Sequence, residues 1–238
     1  MLNLPSIINK TIEALQKRLL ERFSDNLKCL ILYGSWAKGT AHEDSDIDLL
    51  VILNNADDKT RKLLYEIERD ATEDKSITLL SSSVEEFQRE RIPLYTAIKK
   101  EGNIIMGEID IVINPEPPHI KYADYFEKSK EFETKKVKMA ENIIKEYPSY
   151  GSADLCFVAS KHAIQMALAI RGMGYSSKVA VLLPLAKENL GEDITDKFKR
   201  LFELYIKSEY GIEFLSQEEA RLAIEYAKEI LTVCYKQM

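Results

Sequence analysis

Cys29-Leu-Ile-Leu-Tyr-Gly-Ser-Trp-Ala-Lys-Gly-Thr-Ala-His-Glu-Asp-Ser-Asp-Ile-Asp-Leu-Leu-Val-Ile-Leu53 is the stretch on which the fold of this 238-residue chain turns. Its two apolar runs, 29–33 and 47–53, are short, rich in leucine and isoleucine, and end at turn residues. That pattern predicts buried strands of a helix-covered sheet. Between them lies Gly34-Ser-Trp-Ala-Lys-Gly-Thr40, which predicts a sharp turn followed by a short helix.

Chemistry concentrates in the same stretch. Side chains two apart on a strand share a face, so Asp46 and Asp48 present two carboxylates side by side while Ile47 and Leu49 enter the core. Adjacent carboxylates repel unless a cation neutralises them. Hard oxygen ligands next to a phosphate opening suit Mg²⁺, which completes its octahedron with water and substrate phosphates. Upstream, Gly34 lets the backbone approach a ligand, and the first helical amides then point at it, which makes an anion site. The Ser35 hydroxyl adds a donor to a phosphate oxygen, and Lys38 is balanced between a phosphate contact and solvent. Asp44 precedes the strand and reads as solvated or capping, and Trp36 as packing.

Working outward, Ile7, Ile8, Ile12, Leu15, Leu19 and Phe23 recur at three- and four-residue steps, the stripe of an amphipathic helix over 5–23. Residues 59–71 read as a helix and Ser76 to Leu80 as a third strand. Ser83 with Glu86 makes a capping box, and Pro93 ends one helix and starts the next. Ile104, Ile105 and 109–113 predict two more strands or extended segments. Strands alternate with helices here, so this half is α/β. Three prolines within Asn114 to Pro118 mark a boundary, giving domains at 1–114 and 119–238. Helical periodicity then runs over 121–147, 153–172, 179–190, 196–210 and 217–235, an all-α bundle, with Ser216 and Glu219 as a second capping box.

Gly34-Ser35, ten residues, then Asp46-x-Asp48 resembles the signature of the polymerase β-like nucleotidyltransferase superfamily, whose small members carry a GSxARG-type turn followed by DxD. Lysine at position 38 replaces the arginine. The resemblance covers residues 1–113 and implies an α/β domain with a mixed sheet. It also implies that Gly34 and Ser35 hold a nucleoside triphosphate, and that Asp46 and Asp48 are catalytic and bind two Mg²⁺ ions. The implied reaction moves a nucleoside monophosphate to a hydroxyl of a small molecule or protein. On architecture alone, the helical half is similar to HEPN and kanamycin-nucleotidyltransferase-type helical domains. The family also wants a third carboxylate as general base. Alignment puts Thr78 there, and Asp110, flanked by Ile109 and Ile111, is the rival. Without a third acid, the alternative is a non-catalytic nucleotide-binding or regulatory module, or a toxin–antitoxin component.

Composition narrows the partners. Lysine and arginine total 33 against 39 acids, a net charge of −6, which argues against a long nucleic acid. No apolar run reaches the roughly 20 residues of a membrane span, and Pro5, Asn9 and Lys10 interrupt any leader, so the expectation is a cytoplasmic protein. Cys29, Cys156 and Cys234 form no CxxC pair and read as buried thiols. His162 lies on the apolar stripe of its helix and reads as packed and hydrogen-bonded. No arginine stands four to six residues before any histidine, which disfavours the RNA-cleaving HEPN chemistry. Oligomeric state is open, a homodimer included.

Overall fold

A computed structural model describes residues 4–71, 76–147, 151–174, 176–212 and 214–236. The chain divides into two compact units after Pro115.

In the first unit, helix α1 (Ser6–Phe23) buries Ile8, Ile12, Leu15, Leu19 and Phe23, leaving Ile7 about half exposed. A 3-10 turn (Ser24–Asn26) leads into β1 (Leu27–Tyr33), then α2 (Gly34–Lys38) and β2 (Ile47–Leu53). Helix α3 (Asp58–Ala71), β3 (Ile77–Ser83), α4 (Val84–Arg89), α5 (Pro93–Glu101) and β4 (Asn103–Gly107) follow. The sheet order is β3-β2-β1-β4. β1 pairs antiparallel with β2 and β4, whereas β2 and β3 are parallel, joined by the α3 crossover, so the sheet is mixed.

Both faces of the sheet are covered, which is why its central strands read as continuous apolar runs. Leu30, Leu32, Leu49, Val51 and Leu53 share one cluster with α1 and α3 residues such as Leu15 and Ile67. Cys29, Ile31, Leu50 and Ile52 meet Phe87 of α4 and Ile98 of α5 on the other. The Ser83–Glu86 box is formed and Pro93 occupies the first turn of α5.

Of the two alternatives for 104–105 and 109–113, the structure makes the first a strand, β4, and the second an extended segment outside the sheet. Residues 109–113 form no strand, and Ile111, Val112 and Ile113 stay exposed at 41%, 62% and 43%. Side chains, not a neighbouring strand, take up the backbone there. Gln88 Nε2 donates to Asp110 O (2.7 Å), Lys99 Nζ to Val112 O (2.6 Å), and Asn114 N to Glu90 Oε1 (2.8 Å). Lys99 and Glu90, both with fully buried side chains, pair at 3.0 Å beneath this strap.

The second unit is helical: α6 (Pro118–Lys121), α7 (Ala123–Glu146), α8 (Ser152–Ile170), α9 (Val179–Leu190), α10 (Glu192–Tyr210) and α11 (Gln217–Lys236). The bundle is built around α8, whose Ala153, Cys156, Phe157, Ala159, Ala163 and Ile164 belong to the core cluster. Helix α10 starts four residues before the periodicity suggested, because Glu192 and Asp193 supply a favourable acidic first turn. The Ser216–Glu219 box is formed in both directions.

Candidate active site

The site is assembled where β1 ends. Tyr33 is the register partner of Asp48, and Asp48 is in turn the partner of Thr78, so one row across three strands reads Tyr33, Asp48, Thr78. By strand alternation this row shares the face of Leu50 and Ile52. The chain leaves β1 through Gly34, and two independent constraints demand glycine there. Its φ is +70°, in the left-handed region, and a Cβ would stand 2.1 Å from Asp48 Oδ2. The half-buried Asp48 carboxylate therefore rests directly against the backbone of the turn.

Ser35 is half-buried in the first turn of α2, where the backbone amides have no acceptor within the helix. Gly39, at φ +69°, closes the far end, and Thr40 N donates to Ser35 O at 3.0 Å. Trp36 Nε1 donates to Ser45 O (3.2 Å) while its ring packs against the α1/α3 cluster, in line with the packing reading. Lys38 pairs with Glu101 at 2.5 Å on the surface. The loop before β2 is tied by His42 N to Ser45 Oγ (2.9 Å) and Ser45 N to His42 O (3.0 Å). Asp44 and Asp46 are exposed, and Ile47 N donates to Ser76 O (2.9 Å), pinning the start of β2 beside β3.

Burial pushes the Tyr33 phenol well above its ordinary value, with the charges of Asp48 and then Glu68 adding to the rise. Tyr33 therefore stays a neutral donor beside an acidic group. Among the described residues no cluster of three or more His, Cys, Asp or Glu side chains could cage a metal. The donor set fits Mg²⁺ nonetheless, because that ion needs only one or two carboxylates when phosphates and water complete its shell. Asp48 against Gly34, with Asp46 two residues before it, would supply those oxygens beside the first turn of α2.

Thr78 stands beside Asp48, as the motif alignment has it, and β3 carries no carboxylate. Asp110 does not take its place. β4 runs antiparallel to β1, so Gly107 pairs with Cys29, roughly 13 Å of strand away from Tyr33 at about 3.3 Å per residue. Asp110 follows in the exposed strap against Gln88. In the helical unit, His162 Nδ1 lies 3.0 Å from the buried Glu133 carboxylate, which also meets Lys136 at 2.9 Å. The hydrogen bond matches the expectation, but with 39% of the side chain exposed the ring is only partly packed. Sequence reasoning missed Asn103, whose Nδ2 donates to Ala37 O of α2 (3.3 Å), and the Glu101 partner of Lys38. No periodicity marks contacts made 63 or 66 residues apart.

Residues 13–111 match the family model described as polymerase beta, nucleotidyltransferase, and residues 153–237 match that of the HEPN domain. A curated relative in Methanocaldococcus jannaschii, named for protein adenylyltransferase activity, is 43% identical over 49 residues. That alignment covers 21% of this chain and 33% of the relative, so the chain spans about a third of the length of the curated protein it matches. The crystal structure of spectinomycin adenyltransferase AAD(9) from Enterococcus faecialis, with ATP and spectinomycin, superposes at a TM-score of 0.54. The superposition covers 94% of this chain and 99% of that one at 16% identity, and shows a shared fold.

Proposed function

We propose, from a chain that carries a polymerase β-type nucleotidyltransferase domain at residues 13–111 and a HEPN domain at 153–237, that the protein transfers a nucleoside monophosphate from a nucleoside triphosphate to a hydroxyl group. The observation that supports this reading is the close approach of the Asp48 carboxylate to Gly34, at the turn that leads into the first amides of α2. The triphosphate seats at Gly34 and Ser35, with the Ser35 hydroxyl donating to a phosphate oxygen. Asp46 and Asp48 hold Mg²⁺. When bound, the metal neutralises charge on the phosphates and on the attacking and leaving oxygens.

The acceptor oxygen attacks the α-phosphorus, the bond to the β-phosphate oxygen breaks, and pyrophosphate leaves. The hydroxyl proton passes to Asp48 or to water, since Thr78 cannot accept it near neutral pH. The relative named for protein adenylyltransferase activity and the neighbour solved with ATP and spectinomycin support ATP as donor and a small molecule or protein side chain as acceptor. Thr78 beside Asp48 favours a second reading, a nucleotide-binding module that has lost fast transfer. Incubation with labelled nucleoside triphosphates and Mg²⁺ separates the two. Pyrophosphate release with a labelled product supports transfer, and saturable nucleotide binding without release supports the module.

A further inference from the structure

Helix α2 holds five residues, far too few to be stable on its own. Its placement must come from its surroundings, and the side chains that grip it are unevenly distributed. Trp36 reaches the loop before β2. The other two grips come from one corner, where α5 turns into β4. Asn103 Nδ2 donates to Ala37 O at 3.3 Å, and Glu101 pairs with Lys38 Nζ at 2.5 Å.

The corner itself is fixed by contact. A Cβ on Gly102 would lie 2.6 Å from Ile98 O and 2.8 Å from Ile31 Cγ2, so this residue is pressed onto β1 with no room for a side chain. Asn103 is the register partner of Leu32, two residues before Gly34. The corner is thus referenced to the strand that delivers the turn, and it holds the last two residues of the helix that follows.

We propose that the corner Glu101-Gly102-Asn103 is a clamp that positions the phosphate-binding turn, with Asn103 and Glu101 as positioning residues for the triphosphate. The assignment rests on the nucleotide-transfer reading for its consequence, but not for its mechanics. An exposed ion pair such as Lys38–Glu101 contributes little to folding. Loss of either grip therefore leaves the fold intact and lets α2 shift, moving the amides and the Ser35 hydroxyl out of register with the phosphates.

Hydrogen exchange at Gly39 and Thr40, whose amides donate back into α2 at Trp36 O and Ser35 O, together with KM and kcat for pyrophosphate release, tests this in the full chain and in Asn103→Ala, Asn103→Gln and Glu101→Gln. We expect Asn103→Ala to speed exchange at Gly39 and Thr40 at least tenfold, with β1 and β2 unaffected. KM for the triphosphate should rise five- to tenfold with kcat within about twofold. Glu101→Gln should raise KM about threefold, and Asn103→Gln, which keeps the donor, should recover part of the loss. Unchanged exchange at Gly39 and Thr40 in Asn103→Ala overturns the clamp. So does faster exchange spread evenly over the sheet, since that is general destabilisation. A wild-type protein that releases no pyrophosphate defeats the transfer reading, while the exchange measurement still decides the clamp.

Discussion

The functional load falls on a few side chains whose roles separate by experiment. Asp48→Asn should reduce Mg²⁺-dependent transfer by at least a hundredfold with circular dichroism unchanged, because it removes the charge proposed to hold the ion while keeping the side chain's size and shape. Gly34→Ala should abolish nucleotide binding and cost about 1–3 kcal/mol in stability, from the left-handed φ and the collision with Asp48. Ser35→Ala should weaken binding only by about 0.5–1.5 kcal/mol, since one hydroxyl donor is lost and the amides remain. An isothermal titration with a non-hydrolysable triphosphate reads both. Thr78→Asp should raise transfer to hydroxyl acceptors, because it places a proton acceptor in register beside Asp48. Gly34, Ser35, Asp46 and Asp48 stood out in the sequence because turn chemistry and strand alternation are local. The Asn103 and Glu101 grips did not, since contacts across some 60 residues have no local signature.

Among the elements, strands and capped helices were legible, and the segment that stayed open between strand and extended chain has a physical reason. The 109–113 segment has strand composition, yet the side chains of α4 and α5 satisfy its backbone first. Lys99→Met should therefore cost about 3–5 kcal/mol in denaturant unfolding, because it removes the counter-ion of the buried Glu90 carboxylate and frees Val112 O. In the helical unit, α8 and α10 meet at Asp154 and Glu209. Burial, then a hydrogen bond and repulsion from Glu209, push the Asp154 carboxyl up to about 6. A raised carboxyl pKa favours folding in its protonated form, so this contribution is full below about pH 4 and lost as pH rises through about 6. The Tm of the wild type should fall by a few degrees from about pH 5 to about pH 8, and Asp154→Asn should remove that dependence.

Across the whole molecule, two compact units with separate cores carry the two family matches. Helix α8 is long and apolar enough by composition to cross a membrane, but two-thirds of that window is buried within its own bundle, where a central helix needs just this composition. All three thiols are buried, and burial pushes Cys29 to about 11 and Cys156 and Cys234 to about 12. Thiolate-directed reagents should leave the native protein unmodified, and mass spectrometry after alkylation should find labels only above the unfolding midpoint.

The row Tyr33, Asp48, Thr78 joins pieces of unlike descent along the chain. The residues proposed to hold the triphosphate, Gly34, Ser35, Asp46 and Asp48, all fall within the single stretch 29–53. The position from which a proton would be taken belongs to a strand that arrives only after a helical crossover. On the proposed reading, recognition and reactivity are therefore separable along the chain. On the proposed reading, a change at position 78 alone should alter turnover while the nucleotide keeps its seat, so Thr78→Asp should leave triphosphate affinity unchanged in the same titration.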